Sequence, residues 1–293
     1  MKMLKSMLFI PGDSEKKMIK GNGSNADALI LDLEDSVASD RTALARDMVR
    51  DYLRSHADRG RQELWVRINP LSTDKALPDL AAIVAGAPDG IMLPKSGSAA
   101  DVIALDHYLS ALEQREGVAV GSIRILPVAT ETPGALFTLN SYQGASARLA
   151  ALTWGAEDLA AAMGAASNRL ENGEYEFTYL LARSLCLAAA HAAGVQAIDT
   201  VTTDFRNTDK LIAEVRASRR AGFTGKMAIH PDQVDPINRG YVPDETEIAH
   251  ARAVIHAMQN APGTGTVQLN GQMIDKPHLV QAQRVLASAG LRE

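Results

Sequence analysis

Short apolar runs alternate with helical patterns about eight times along the chain. Each run ends in Gly, Pro or a polar residue before a helical pattern begins, as in buried parallel strands that feed helices. The runs are Met7–Ile10, Ala28–Leu33, Leu64–Asn69, Gly90–Lys95, Ile125–Thr130, Leu149–Trp154, Ala197–Val201 and Gly225–His230. Eight strand–helix repeats with short loops favour a (β/α)8 TIM barrel over a doubly wound sheet. Such connections are right-handed, so all strand C-termini are expected on one face.

The pattern changes after the eighth repeat. A helix is predicted from about Glu245 to Met258, then a hairpin-like piece over Val267–Asp275, and a last helix from Pro277. This region is too long for barrel closure and too short for a full domain. We therefore predict a catalytic barrel over residues 1–240 and a C-terminal helical and hairpin arm or lid over residues 241–293.

Composition narrows the class of protein. The 293 residues are 46% hydrophobic and 22% charged, which is ordinary globular usage. A net charge of -5 without a basic stripe argues against nucleic-acid binding. One cysteine excludes a disulfide framework, and no apolar run is long enough to span a membrane. The expectation is a cytoplasmic protein.

Two apolar runs each deliver a carboxylate at the predicted ligand face. Glu131 follows the fifth run and Asp158 follows the sixth. Two such acids suit Mg²⁺, with Mn²⁺ as an alternative, because a hard cation of this kind takes one or two carboxylates plus water and substrate oxygens. Either acid could instead be a helix cap or a first-turn acid.

Substrate-binding positions are predicted next to this pair. Backbone N–H groups at Thr132-Pro133-Gly134 could hold a substrate carboxylate at a helix start. Ala156 and Glu157 directly precede Asp158 and are expected beside the substrate as well.

Other polar residues at strand ends have two interpretations each. Glu34 and Asp35, with Asp32 before them, could orient water at the metal or could be solvent-facing loop acids. Arg67, inside an apolar run, could form a structural salt bridge or direct its planar fork at substrate oxygens, and we favour the second. Lys95 could form a Schiff base with a carbonyl substrate or pair with nearby acids, and we favour the pairing. His230 could act at the active face or could be a packed turn residue.

Several segments occur together in an order that identifies a family. They are Leu8–Asp13, Leu31–Val37, Val66–Asn69, Leu93–Lys95, Glu131–Ala135, Gly155–Leu159, Gly225–Pro231 and Gly271–Pro277. This ordered set resembles the citrate lyase β-subunit-like family of the HpcH/HpaI aldolase superfamily, which includes malyl-CoA and citramalyl-CoA lyases.

The resemblance implies site roles. It implies a (β/α)8 barrel that holds Mg²⁺ through Glu131 and Asp158, with Arg67 on the reacting oxygens. It assigns Asp275 as the acid/base on the C-terminal arm, which often completes the site of a neighbouring subunit in a homotrimer or hexamer. Without the resemblance, Asp275 would be interpreted as an ordinary loop acid.

The expected reaction is cleavage of a 3-hydroxy-acid thioester of the citramalyl-, malyl- or citryl-CoA type. The products would be an acyl thioester and a 2-oxo acid: pyruvate, glyoxylate or oxaloacetate. Arg67 would stabilise developing charge and Asp275 would protonate the thioester enolate. A water on the metal or Glu34 could take the hydroxyl proton. Alternatives are a malyl-CoA thioesterase, a lysine-dependent aldolase through Lys95, and a lyase subunit that binds Mg²⁺ and a 2-oxo acid and uses an acyl-carrier-protein substrate.

Overall fold

Eight parallel strands form a nearly closed barrel in the computed structural model, which describes residues 3–261 and 263–291. The strands are β1 (Ser6–Pro11), β2 (Ala28–Asp32), β3 (Glu63–Arg67), β4 (Gly90–Leu93), β5 (Arg124–Pro127), β6 (Ala151–Thr153), β7 (Gln196–Asp199) and β8 (Gly225–Ala228). Their hydrogen-bonded order is β5-β4-β3-β2-β1-β8-β7-β6. Parallel bridges from Ile125 to Leu149 and from Val128 to Thr153 connect β5 to β6, so the sheet curls back on itself. The predicted barrel is confirmed.

Helices follow the strands on the outside of the sheet. They are α1 (Glu15–Asn22), α2 (Thr42–Ser55), α3 (Ala76–Ile83), α4 (Ala99–Glu116), α5 (Ala156–Ala162), α6 (Phe177–Ala193), α7 (Thr208–Ala221) and α8 (Val234–Gly240). The β5–β6 connection departs from the repeat, because it contains two short 3-10 helices, Pro133–Phe137 and Leu139–Tyr142, where an α-helix was expected. Gly134, directly after the first position, is a poor helix former, so an α-helix has little intrinsic support there.

Side-chain alternation along the strands separates the barrel interior from the layer beneath the helices. One buried apolar cluster contains residues from all eight strands and therefore lies inside the barrel. It includes Ile198 of β7 and Met227 of β8. Because successive side chains of a strand point to opposite faces, the neighbouring Asp199 and Lys226 point outward, towards the helices.

A second compact unit begins at Arg239. It contains α9 (Glu245–Gln259), the antiparallel strands β9 (Thr266–Leu269) and β10 (Gln272–Asp275), and α10 (Lys276–Ser288). The two-residue hairpin turn is Asn270-Gly271, with φ values of 49° and 79°. Positive φ at both positions is what a type I′ turn requires, and Asn-Gly satisfies it at low cost. The unit has its own apolar core, formed by Val254, Ile274 and Leu286 among others.

Membrane insertion through a helix has no support in the structure. Across residues 3–261 and 263–291, every helix is too short or too polar to cross a bilayer.

Candidate active site

Charged side chains from neighbouring strands converge at the carboxyl end of the barrel. They belong to the ends of β2 to β6 and the first residues after them: Asp32, Glu34, Arg67, Lys95, Glu131 and Asp158. Ligands bind at this end of parallel barrels, because the loops that follow the strands meet there. The convergence makes this face the candidate active site.

The Arg67 guanidinium is anchored by the Asp32 carboxylate. Arg67 Nε donates to Asp32 Oδ1 at 2.6 Å and Arg67 Nη2 donates to Oδ2 at 2.7 Å, a two-point planar contact. Burial acts to raise the pKa of Asp32, but the hydrogen bonds and charge of Arg67 lower it below its ordinary value. The Phe9 ring lies 4.9 Å from the guanidinium carbon. The salt-bridge interpretation of Arg67 therefore holds for two of its nitrogens, and Nη1 is left for other partners.

Glu34 is a buried carboxylate between two cations. Its Oε1 accepts a hydrogen bond from Lys95 Nζ at 2.6 Å, and its Oε2 lies 3.0 Å from Arg67 Nη1. Burial raises the pKa of Glu34 to about 7, although the charge of Arg67 opposes the shift. Within the described residues, Oε2 has no hydrogen bond of good geometry. Glu34 thus presents a buried acceptor atom beside a guanidinium N–H.

Lys95 connects the acids through both its backbone and its side chain. Its φ of +50° is in the left-handed region that few non-glycine residues adopt. In this conformation its N–H donates to Glu131 Oε2 at 2.6 Å, while Nζ lies 3.2 Å from Asp158 Oδ1. Burial acts to lower the pKa of Lys95, but the hydrogen bond and charge of Glu34 raise it above its ordinary value. A lysine held protonated in this way is a poor Schiff-base nucleophile.

Glu131 is buried against the backbone of Gly155. A Cβ at Gly155 would come within 2.8 Å of Glu131 Cγ and 3.1 Å of Oε1, so only glycine leaves room for this carboxylate. Burial, followed by the charge of Asp158, raises the pKa of Glu131 to about 8. A cation bound beside Glu131 would offset the cost of keeping this buried carboxylate ionised.

The donor set fits a hard cation that keeps open positions. Across residues 3–261 and 263–291, no group of three or more His, Cys, Asp or Glu side chains could enclose a metal ion. A pair of carboxylates, Glu131 and Asp158, is the arrangement that suits Mg²⁺ when water and substrate oxygens supply its other ligands. Mn²⁺ has the same preference for oxygen.

The predicted substrate-binding segments follow the two acids. Thr132 and Pro133 begin the 3-10 helix, and a Cβ at Gly134 would meet nothing within 4 Å, so the backbone there is open. Ala156 is buried at the start of α5. Glu157 is exposed and accepts a hydrogen bond from Asn168 Nδ2 at 2.7 Å.

Asp275 belongs to the second unit. It is the N-cap residue of α10, and its carboxylate lies 2.5 Å from His278 Nδ1. A capping aspartate satisfies free N–H groups at a helix start. Asp275 therefore has a structural role in its own unit, whatever its part in catalysis.

The structure decides between several sequence-level alternatives. Asp32 and Glu34 are buried, whereas the side chain of Asp35 is 56% exposed, so the three neighbouring acids have different environments. His230 caps the 3-10 helix Pro231–Gln233 and stacks on Phe205 with ring centres 4.9 Å apart. The interpretation of His230 as a packed turn residue fits these contacts.

Sequence reasoning missed two backbone contributions. Lys95 was considered for its side chain, but its N–H also fixes Glu131. Gly155 precedes the second acid, and the close approach of Glu131 to it comes from the neighbouring strand. Neither contact is local in sequence. The only available signal was Gly155 itself, because a glycine between a strand and a helix often marks close backbone approach.

Known proteins resemble the chain over its full length. Residues 5–231 match the family model for HpcH/HpaI aldolase/citrate lyase. Citrate lyase subunit beta of Haemophilus influenzae is 34% identical, with 100% of both chains covered. A (3S)-malyl-CoA thioesterase of Cereibacter sphaeroides is 34% identical, covering 97% of this chain and 94% of the relative. An L-malyl-CoA/beta-methylmalyl-CoA lyase from the same species is 33% identical, covering 96% of this chain and 93% of the relative.

Solved structures share the architecture. The CitE protein of Mycobacterium tuberculosis, in complex with magnesium, acetoacetate and coenzyme A, superimposes with a TM-score of 0.83 at 34% identity, covering 98% of each chain. A citrate lyase beta subunit from M. tuberculosis, complexed with oxaloacetate and magnesium, gives a TM-score of 0.69 at 33% identity, covering 82% of this chain and 98% of that one.

Proposed function

Because the chain belongs to the HpcH/HpaI aldolase/citrate lyase family, we propose that it cleaves the carbon–carbon bond of a 3-hydroxy-acid CoA thioester. The family makes it a lyase related to CoA-thioester lyases. The proposed substrates are citramalyl-, malyl- or citryl-CoA, and the products are an acyl thioester and pyruvate, glyoxylate or oxaloacetate. The reverse reaction is a Claisen-type condensation.

One observation carries the proposal. Glu131 and Asp158, which suit a divalent cation, are joined through Lys95 to Glu34 and its partner Arg67. A 2-oxo acid binds through a cation that takes its carboxylate and carbonyl oxygens. The Glu131–Asp158 pair would hold such a cation close to the buried Glu34 acceptor and the Arg67 donor. The solved relatives that contain magnesium with oxaloacetate or acetoacetate support the same assignment.

The residues divide the reaction between them. Mg²⁺, or Mn²⁺, held by Glu131 and Asp158 would supply Lewis-acid polarisation of the substrate oxygens. Glu34 Oε2 would accept the hydroxyl proton, for which a carboxylate with a pKa of about 7 is well matched near neutrality. As the hydroxyl carbon becomes a carbonyl, the carbon–carbon bond breaks and its electron pair passes to the thioester as an enolate. Arg67 Nη1 would stabilise the developing negative charge.

The backbone at Thr132-Pro133-Gly134, together with Ala156 and Glu157, would line the substrate. Open N–H groups near Gly134 would bind the carboxylate that becomes the 2-oxo acid.

Asp275 would complete the reaction by protonating the enolate carbon. We assign it to the site of a neighbouring subunit in a homotrimer or hexamer, as the family resemblance implies. The position of Asp275 at the exposed start of α10 leaves its carboxylate 32% accessible, which is compatible with contact to another subunit.

The test is an assay of the purified protein with malyl-, citramalyl- and citryl-CoA. We expect one of them to release a 2-oxo acid and an acyl-CoA in equal amounts with Mg²⁺, and excess EDTA to abolish both. If both products were released in excess EDTA at the same rate as with Mg²⁺, the metal assignment would be contradicted. Lack of cleavage of all three thioesters would contradict the proposed substrates.

Two further candidates have support among the relatives. The thioesterase relative favours hydrolysis of a malyl thioester, which would release free CoA and no 2-oxo acid. The citrate lyase subunit relatives favour a subunit that acts on an acyl-carrier-protein thioester. Such a subunit would bind oxaloacetate with Mg²⁺ and leave free CoA esters intact.

A further inference from the structure

A cavity of about 610 Å³ lies outside the barrel, between the strands β6–β8 and the helices α6 and α7. Asp199 and Lys226 line the cavity, and their sequence neighbours Ile198 and Met227 belong to the apolar cluster inside the barrel. Because successive side chains of a strand point to opposite faces, the cavity lies on the outer side of the sheet. Its volume is in the range of small-molecule sites. None of its lining residues is one of the acids of the candidate active site.

The floor of the cavity is a set of buried, mutually neutralised charges. Arg183 contacts Asp199 through two nitrogens, at 3.1 and 2.9 Å, and Trp154 Nε1 donates to the same carboxylate at 2.6 Å. Lys226 is almost fully buried, donates to the Thr200 carbonyl at 2.7 Å and lies 3.6 Å from a Glu214 oxygen. The charges of the floor are therefore close to balanced.

The walls are aromatic and aliphatic. The rings of Trp154 and Tyr175 meet edge to face, with centroids 5.2 Å apart. Leu180 of α6 and Ala213 and Ala217 of α7 line the remaining wall. Trp154 is itself almost fully buried, so a flat apolar group would gain burial against Tyr175 and the exposed Leu180.

The rim has positive charge that the floor does not cancel. The Arg169 guanidinium stacks on Tyr175 at 3.8 Å, and its buried Nη2 has no hydrogen-bond partner within the described residues. Its nearest carboxylate is Glu214, at 4.0 Å. Lys210 of α7 lines the same cavity. Arg169 and Lys210 thus place two cations at the cavity. Besides Asp199 and Glu214, the acid that lines it is Glu174, which accepts a hydrogen bond from Asn172.

The loop that covers the cavity also contacts a residue of the candidate active site. Residues 164–176 fold back on themselves through a bridge between Arg169 and Tyr175. In the same loop, Asn168 donates to Glu157, one position before Asp158. A ligand held by Arg169 would therefore restrain the loop that contacts Glu157.

We propose that this cavity binds a small organic anion, with its carboxylate on Arg169 and Lys210 and an aromatic body against Tyr175 and Leu180, and that binding orders the loop 164–176. The ligand class follows from a neutral floor, aromatic walls and a cationic rim. Such a cavity would be an effector-binding site separate from the substrate-binding site.

The first test uses 4-nitrophenylacetate as the probe, because a nitroaromatic ring quenches the emission of a tryptophan close to it, and Trp154 borders the cavity. The chain has two tryptophans, so Trp65→Phe leaves Trp154 as the single reporter. We expect saturable quenching by the anion, and binding about tenfold weaker for the neutral 4-nitrophenylacetamide, which lacks the charge-assisted contacts. Quenching that stays linear with concentration, or equal binding of the amide, would overturn the assignment.

A matched pair of charge removals on α7 locates the probe without the Trp65 substitution. Lys210→Met removes a cation of the rim, whereas Arg216→Met removes an exposed cation of the same helix outside the cavity. By calorimetry, Lys210→Met should raise the dissociation constant about tenfold, and Arg216→Met should leave it unchanged. Equal constants in both variants would show that the probe binds elsewhere and would overturn the proposal.

Hydrogen exchange tests the ordering of the loop. Saturating probe should slow amide exchange in residues 164–176, and this protection should disappear in Lys210→Met. Unchanged exchange in the loop with the cavity occupied would overturn the ordering.

Discussion

At the scale of single residues, the candidate site contains side chains that each contact two or more partners. Lys95 fixes Glu131 with its N–H and neutralises Glu34 with its ammonium. Arg67 is held by Asp32 on two nitrogens and faces Glu34 with the third. Because each polar contact restrains another, the carboxylates have little freedom before a metal or substrate binds. Preorganisation of this kind is what a charge-stabilising site requires.

Asp275→Asn separates the structural role of Asp275 from the proposed catalytic one. Asparagine caps helices as well as aspartate does, so α10 should remain intact, as judged by circular dichroism. The amide cannot supply a proton to a carbanion, so we expect kcat to fall by about 10²- to 10⁴-fold. Mg²⁺-dependent binding of the 2-oxo acid should stay unchanged in calorimetry. Full activity would show that Asp275 is the wrong residue.

Gly155→Ala tests the packing of Glu131. The added Cβ would come within 2.8 Å of Glu131 Cγ and must displace that carboxylate. We expect the Mg²⁺ dissociation constant, measured by calorimetry, to rise by about tenfold or more, as when support of a metal ligand is lost. Gly265→Ala is the matched control, because a Cβ there meets nothing within 4 Å. Equal Mg²⁺ affinity in the two variants would argue against Glu131 as a ligand.

At the scale of secondary-structure elements, buried ion pairs join the strands to the helices. Asp199 at the end of β7 accepts hydrogen bonds from Arg183 of α6 and from Trp154 after β6. Burial acts to raise the pKa of Asp199, but the charges of Lys226 and Arg183 lower it to about 2. The ionised carboxylate is therefore stabilised by folding.

The pH dependence of stability follows from the sign of this shift. The folded pKa of Asp199, about 2, lies below its ordinary value of 3.8, so its contribution is complete above pH 3.8 and is lost as the pH falls towards 2. We expect a loss of about 2 kcal/mol in the free energy of unfolding across this window from this group. Denaturant titrations at a series of pH values measure it.

Asp199→Asn should remove that pH-dependent contribution. It should also lower the free energy of unfolding at neutral pH by about 3 kcal/mol, because Arg183 and Lys226 would lose a buried partner. Asp74→Asn, at an exposed position, is the control and should keep the wild-type pH profile. Identical profiles for the Asp199 and Asp74 variants would contradict the assignment.

At the scale of the whole molecule, the chain has two compact units, and the proposed reaction takes residues from both. Glu131 and Asp158 belong to the first unit and Asp275 to the second. We propose that a second subunit contributes Asp275. The prediction can be tested without knowledge of the interface, because it requires only that two different defects complement each other.

Mixing two inactive variants is that test. Asp275→Asn and Glu131→Gln should each be inactive alone. If subunits exchange at random in a symmetric assembly, about a quarter of the sites in an equal mixture would have both native residues, so activity should approach that fraction of wild type. A mixture with no more activity than either variant would show that each subunit uses its own Asp275.

The sequence by itself determined the elements and the family. The period of its apolar runs predicted eight strands and the barrel, because parallel strands buried on both faces have continuous apolar runs. The segment Val267–Asp275 predicted a hairpin-like piece, and β9 and β10 pair there around an Asn270-Gly271 turn with positive φ at both residues. The order of the motifs predicted a lyase of this family, and the matching relatives confirm it. The metal, substrate and proton-transfer roles of named residues stay predictions.

Only the tertiary structure decided how the polar residues are paired. Asp32, Glu34 and Asp35 lie within four consecutive positions of the sequence, yet the first two are buried and the third is exposed. The β5–β6 connection has 3-10 turns where the repeat predicted a helix. The cavity beside Asp199 joins strands and helices far apart in the chain. Such features depend on contacts between distant segments, and local periodicity reports which face of an element is apolar but not which neighbour covers it.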